Sequence, residues 1–176
     1  MAFAADGRLF LADTGWNAWE EINIVVRAGN YGWPYFEGGG LGELLPTDGF
    51  ADDSRYAGFY SDVRSGQLVV APPYQAFSHR EADPGFQVGA IVGASSVYTG
   101  NRYPPAFSGA YFFTDIVDGE IYAIDTGNPG EIRYVTDLGG YGPTSLRQGA
   151  DGYLYLTDMV TDRLLRLEIE PFAPPG

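Results

Sequence analysis

Two adjacent carboxylates, Glu20 and Glu21, open the stretch "EEINIVVRAGNYGWP". It continues through a β-branched apolar segment and then gives six residues, Gly29-Asn30-Tyr31-Gly32-Trp33-Pro34, to a turn. An ordinary hairpin needs far fewer. Carboxylates, and carbonyls freed by a glycine-flanked turn, are oxygen donors of the kind a hard cation collects. The bland alternative leaves Glu20 and Glu21 in solvent and packs Trp33 and Pro34 on a sheet edge. The other residue type able to do chemistry is His79, the sole histidine, in the polar run "SHREADPG". A histidine there could serve as a general base, but its surroundings read as a loop.

Other chemistries are absent from the sequence. Without cysteine there is no disulfide, no thiolate nucleophile and no cysteine-based zinc site. No G-x-S-x-G, no H-E-x-x-H and no glycine-rich loop opening a helix occurs. The string "DTGWNAWEE" from Asp13 lacks the glycine and the spacing of an EF-hand loop.

The elements that must position these residues are strands. The chain of 176 residues is 45% hydrophobic, with 25 Gly, 12 Pro and many Tyr and Phe, and no long segment keeps a helical apolar period. Short strands joined by tight turns, an all-β fold, is the reading. The formal charge of -13 argues against nucleic acid and against an anionic membrane surface as partner. Every cationic side chain is Arg, and no apolar run is long enough to cross a membrane.

A repeat organises the chain. "ADGRLFLAD" (Ala5 to Asp13), "SGAYFFTD" (Ser108 to Asp115) and "ADGYLYLTD" (Ala150 to Asp158) each join a Gly-containing turn to an apolar strand that ends in Asp. "TDIVDGEIYAID" and "TDMVTDRLLRLE" extend the match at an offset of 43 residues, the size of a four-stranded propeller blade. Asp6-Gly7 and Asp151-Gly152 read as tight turns with φ > 0, and strands such as "YFF" read as buried on both faces by neighbouring blades. The predicted division is a first blade at 1–38, a long excursion at 39–86, a second blade at 87–142, a three-stranded third blade at 143–170 and a tail at 171–176. We expect about ten or eleven antiparallel strands in three sheets and almost no helix.

On "ADTGWNAWEEINIVVRAGNYGWPYFEG", "HREADPGFQVGAIVGASSVYTGNRYPPAFSGAYFFTDIVDGEIYAID" and "GADGYLYLTD...DRLLRLEI", the chain resembles the C-terminal half of the glucose/sorbosone dehydrogenase family. The resemblance implies six-bladed propellers whose characterised members oxidise sugars with pyrroloquinoline quinone (PQQ) and calcium. It implies a structural calcium held by the Glu21 carboxylate and the Tyr31 backbone carbonyl, with Glu37 the next oxygen donor. It also maps the cofactor turn onto Asp13 to Asn17. There the Gly15 carbonyl would face a metal and Trp16 would stack on a flat ring, while Thr14 and Trp16 stand where some quinone-binding relatives have Gln and Pro.

The family's catalytic His and quinone-holding Arg belong to upstream blades, so no catalytic residue is assigned here and the chain alone is expected to be inactive. The implied partners are a sugar substrate and the upstream blades, in a periplasmic or secreted protein. The alternative is a non-catalytic, calcium-braced propeller that binds carbohydrate or protein.

Overall fold

The computed structural model describes residues 1–16, 18–39, 43–79, 89–139 and 142–170. In the first blade, β1 (Ala2–Phe3), β2 (Leu9–Asp13) and β3 (Trp19–Val25) follow one another antiparallel. The chain then leaves the blade through a hairpin of β4 (Phe36–Gly38) and β5 (Leu44–Pro46), and through helix α1 (Ala57–Ser65). It returns as β6 (Gln75–Ser78), which pairs with β3 as the fourth strand. The second blade is β7 (Ile91–Val97), β8 (Tyr111–Asp115), β9 (Glu120–Ile124) and β10 (Ile132–Asp137), in that spatial order. The third has three strands, β11 (Pro143–Gln148), β12 (Leu154–Asp158) and β13 (Arg163–Leu167). The fold is all-β: a partial propeller of three blades with the last incomplete, and no closed barrel.

The strands are apolar on both faces because the blades stack. On β8, Tyr111 and Phe113 pack with Phe10, Ile22 and Phe77 of the first blade. Phe112, on the opposite face, packs with Leu146, Leu154 and Leu156 of the third. Each such side chain removed from water contributes roughly 1.5–3 kcal/mol, and no blade could bury both faces alone. Gly7 and Gly152 hold φ of 89° and 85°, as the turns before β2 and β12 require.

The excursion differs from its reading as a loop. Thirteen strands occur among the described residues rather than ten or eleven, and β4, β5 and β6 account for the difference. Residues 39–86 supply β5, the nine-residue helix α1 and β6, so the first blade's hydrogen bonding does not end at residue 38. The physical reason is an aromatic cluster: Phe36, Tyr60 and Val70 are buried, with Tyr35, Phe50, Tyr56, Phe59 and Val63 packed around them. This satellite core folds the excursion back, and Tyr60 ties it down by donating its hydroxyl to the Tyr35 carbonyl at 2.7 Å. The predicted start of the second blade at 87 and the tail 171–176 lie outside the described residues.

Candidate functional site

At one end of the first blade, the turn from β2 to β3, the start of β3 and the end of β6 meet the entry to β7. Glu20 is fully buried there. Its Oε1 lies 2.7 Å from His79 Nε2, and its Oε2 accepts from the Ile91 backbone N–H at 2.8 Å. Burial pushes the carboxyl up to about 8, hydrogen bonds from the Ile91 and Gly15 backbones oppose the shift, and the charges of Asp115 and Glu37 add to it. Thr14 Oγ1 donates to the Ile91 carbonyl at 2.7 Å. Glu20 and Thr14 therefore fasten the first blade to the inner strand of the second.

On the other face of β3, a cleft is lined by Asp13, Thr14, Gly15, Glu21, Tyr31 and Glu37, with Trp33 and Phe36 as its aromatic walls. Glu21 stands opposite Asp13 in the ladder. It accepts from the Gly38 N–H at 2.5 Å and from Asn23 Nδ2 at 3.1 Å. Burial raises its pKa, and the charges of Asp13 and Glu37 raise it further against those two hydrogen bonds. Asp13 is raised by burial. Glu37, 3% exposed, accepts from the Trp16 N–H at 2.6 Å. Gly15 has no room for a side chain, since a Cβ there would stand 1.6 Å from the Trp19 carbonyl oxygen.

The long turn is built to enter this cleft. Asn30 Oδ1 accepts from the Gly32 N–H at 3.0 Å, and the Asn30 carbonyl accepts from the Ala71 N–H at 2.7 Å. The Tyr31 hydroxyl closes back on β3, accepting from the Val26 N–H at 2.7 Å and donating to the Ile24 carbonyl at 3.0 Å. Gly32, at φ 90°, packs against Phe36 and Val70, where a Cβ would clash. The extra length carries Tyr31, Trp33 and Glu37 over the outer face of β3.

Five of the six residues singled out in the sequence, Thr14, Gly15, Glu21, Tyr31 and Glu37, thus border a single cleft. Trp16 joins it through its backbone, and its ring, 59% exposed, leans on Trp33 and Phe50. His79 is no free loop residue, being held by Glu20 at the end of β6. Sequence reasoning missed Asn23. It is fully buried two residues along the strand from Glu21, and its Oδ1 has no hydrogen-bond partner. The period of two along β3 was the signal that could have found it. Among the described residues, no three Asp, Glu, His or Cys side chains gather closely enough to hold a metal by themselves.

No protein-family model matches the chain. It is 28% identical over 141 residues to quinoprotein glucose dehydrogenase B of Acinetobacter calcoaceticus, covering 77% of this chain and 23% of that protein. It is 27% identical over 164 residues to an aldose sugar dehydrogenase of Escherichia coli (strain K12), covering 90% of this chain and 38% of that protein. The chain therefore spans well under half the length of these relatives. The PQQ-bound aldose sugar dehydrogenase of Streptomyces coelicolor superposes with a TM-score of 0.59 at 18% identity, over 96% of this chain and 42% of that one. The sequence matches agree with the resemblance read from the sequence, and the solved structure shares the fold: the chain is similar to part of a quinoprotein glucose dehydrogenase and of an aldose sugar dehydrogenase.

Proposed function

We propose that this chain is part of a PQQ- and calcium-dependent dehydrogenase of aldose- or sorbosone-type sugars, working in the periplasm or outside the cell. The observation that carries the reading is the convergence of Thr14, Gly15, Glu21, Tyr31 and Glu37 on one oxygen-lined cleft, in a chain with relatives named as a glucose and an aldose sugar dehydrogenase. No helix among the described residues is long and apolar enough to cross a membrane.

The cleft suits calcium by its chemistry. Its side-chain donors are oxygens, and burial raises the carboxyls of Asp13 and Glu21, with the charges of Asp13 and Glu37 adding to the rise at Glu21. Glu21 and Glu37 would hold the ion, with backbone carbonyls such as that of Tyr31 completing the shell. The cofactor fits less directly: PQQ is an anion, and the described lining contains no Arg. The turn at Thr14, Gly15 and Trp16 would therefore meet it through a metal, with cationic residues outside this chain. PQQ, when bound, supplies the acceptor for a hydride from the sugar.

What this chain's own residues do is position. Glu20 and Thr14 hold the turn against the second blade, and Glu37 fixes the Trp16 backbone. His79, the histidine that could serve as a base, lies against Glu20 across β3 from the cleft. That observation keeps a second reading, a non-catalytic propeller that binds carbohydrate or protein. Dye-linked oxidation of an aldose panel, with PQQ and calcium, separates the two. The chain alone should be silent, and a longer form carrying the upstream blades should turn over. A longer form that binds sugar without turnover favours the second reading.

A further inference from the structure

We propose that Asp13 is a ligand for calcium in the cleft, released for that work because Glu37 caps the turn that an aspartate caps for itself in the other two blades. The proposal rests on the calcium reading above and adds a ligand that the resemblance does not assign.

The repeat places Asp13, Asp115 and Asp158 at one position, the last residue of the second strand in each blade. In blades two and three that aspartate holds the turn that follows it. Asp115 Oδ1 accepts from the Val117 N–H at 2.8 Å and the Asp118 N–H at 3.2 Å, and the carboxylate also accepts from the Gly89 and Ala90 N–H groups. Asp158 Oδ1 accepts from the Val160 N–H at 2.9 Å, and its Oδ2 from the Thr161 hydroxyl at 2.5 Å. Asp13 differs. Among the described residues nothing donates to it, and no hydrogen bond offsets the burial of its carboxyl. The N–H three residues on, that of Trp16, is the counterpart of the one from Asp118, and it goes to Glu37 Oε1 at 2.6 Å. Glu37 arrives from β4, outside the four-stranded sheet of the first blade. The turn is therefore capped from the excursion, which leaves the Asp13 carboxylate to the cleft it lines.

A partly buried carboxylate without hydrogen bonds costs stability, and its neighbours show what would offset the cost. Glu21 stands directly opposite Asp13 in the ladder, so two like charges share one face of the sheet. Further along that face Asn23 is fully buried, with its Nδ2 on the Glu21 carboxylate and its Oδ1 without a partner. Neutral donors could satisfy these oxygens one at a time, but they would leave the paired charge in place. A divalent cation answers all three groups, since calcium collects roughly six to eight oxygens, whether carboxylate, amide or carbonyl. Glu21 can take part despite its bonds to Asn23 and Gly38, because each carboxylate oxygen has a second lone pair.

The test is calcium titration of this chain, stripped with chelator and followed by calorimetry, together with melting temperatures in chelator alone. Asp13→Ala should weaken calcium binding about tenfold or more. It should nevertheless melt no lower than the parent in chelator, because it removes a partly buried charge and breaks no hydrogen bond. Asp158→Ala removes the same charge from the equivalent position and should do the reverse. Its calcium affinity should stay within about twofold of the parent, while its melting temperature falls by a few degrees with the loss of the cap. An Asp13→Ala chain that melts well below the parent, or fails to fold, behaves as a cap and overturns the proposal. A parent that binds calcium no more tightly than Asp13→Ala does removes Asp13 from the ligands and leaves the calcium reading standing. A parent that binds no calcium removes that reading and the part of Asp13 with it.

Discussion

Glu20 and Glu21 are neighbours in the chain, yet the pleat sends them to opposite faces of one strand and to different work. Glu21 looks into the cleft, where calcium is the expected occupant. A ligand bound only by the folded state stabilises it by roughly 2.7 kcal/mol at a hundredfold excess over Kd, or about 5 to 10 °C for a chain of this size. Calcium should raise the melting temperature by that order, and Glu21→Gln should remove most of the rise; equal responses in both proteins would move the ion elsewhere. Glu20 answers to pH instead. Its folded pKa of about 8 lies above the ordinary 4.5, so the folded state keeps a proton that the unfolded chain has released. Stability from this group is complete below pH 4.5 and is lost as pH rises towards 8. In chelator, melting temperature should fall between pH 5 and pH 8, while Glu20→Gln should flatten the curve and exceed the parent at the upper end. Parallel curves would show that the carboxyl ionises freely. The sequence made Glu21 legible through its motif. The role of Glu20 was not legible, because its partners Ile91 and His79 lie 71 and 59 residues away.

At the scale of elements, legibility followed apolar content. The strands of the second blade were readable because "YFF" and "IYAI" must be buried on both faces, and Phe112 and Phe113 do face opposite neighbours. β6 was not: its four residues, Gln75 to Ser78, follow Pro72-Pro73 and include two polar side chains, both buried. Helix α1 was hidden as well, because its apolar residues Phe59, Tyr60 and Val63 pack against hairpin aromatics rather than a blade. If the satellite core is a separate unit, it can open without the blades. Tyr60→Ala removes a buried ring and its hydrogen bond to Tyr35, a change that costs about 3–5 kcal/mol in a core. Hydrogen exchange should then lose protection in 44–66 while amides of β8 and β9 keep theirs. Equal loss across the blades would mean that the excursion and the propeller unfold together.

For the whole molecule the open question is association, because two opposing terms set it. The repeat predicted three blades, and among the described residues apolar side chains stand uncovered at β13 and at β1. β13 has β12 as its one hydrogen-bonded neighbour among the described residues, and it presents Leu164 at 70% exposure, near Met159 and Val160 at 62% and 60%. At the other margin β1 pairs with β2 and leaves Met1 and Phe3 62% and 69% exposed. Uncovered apolar surface and an unpaired strand edge both favour docking. Against this stands a formal charge of -13, which repels a second copy. Salt distinguishes the terms, since about 1 M salt shortens the screening length to about 3 Å while leaving apolar contact intact. Light scattering should therefore find this chain associating with concentration, more strongly as salt rises. Leu164→Glu, which places a charge on the open edge, should shift it towards monomer in both conditions. Association that weakens with salt would identify ion pairs as the contact, and a monomer at high concentration and high salt would show that these margins do not bind.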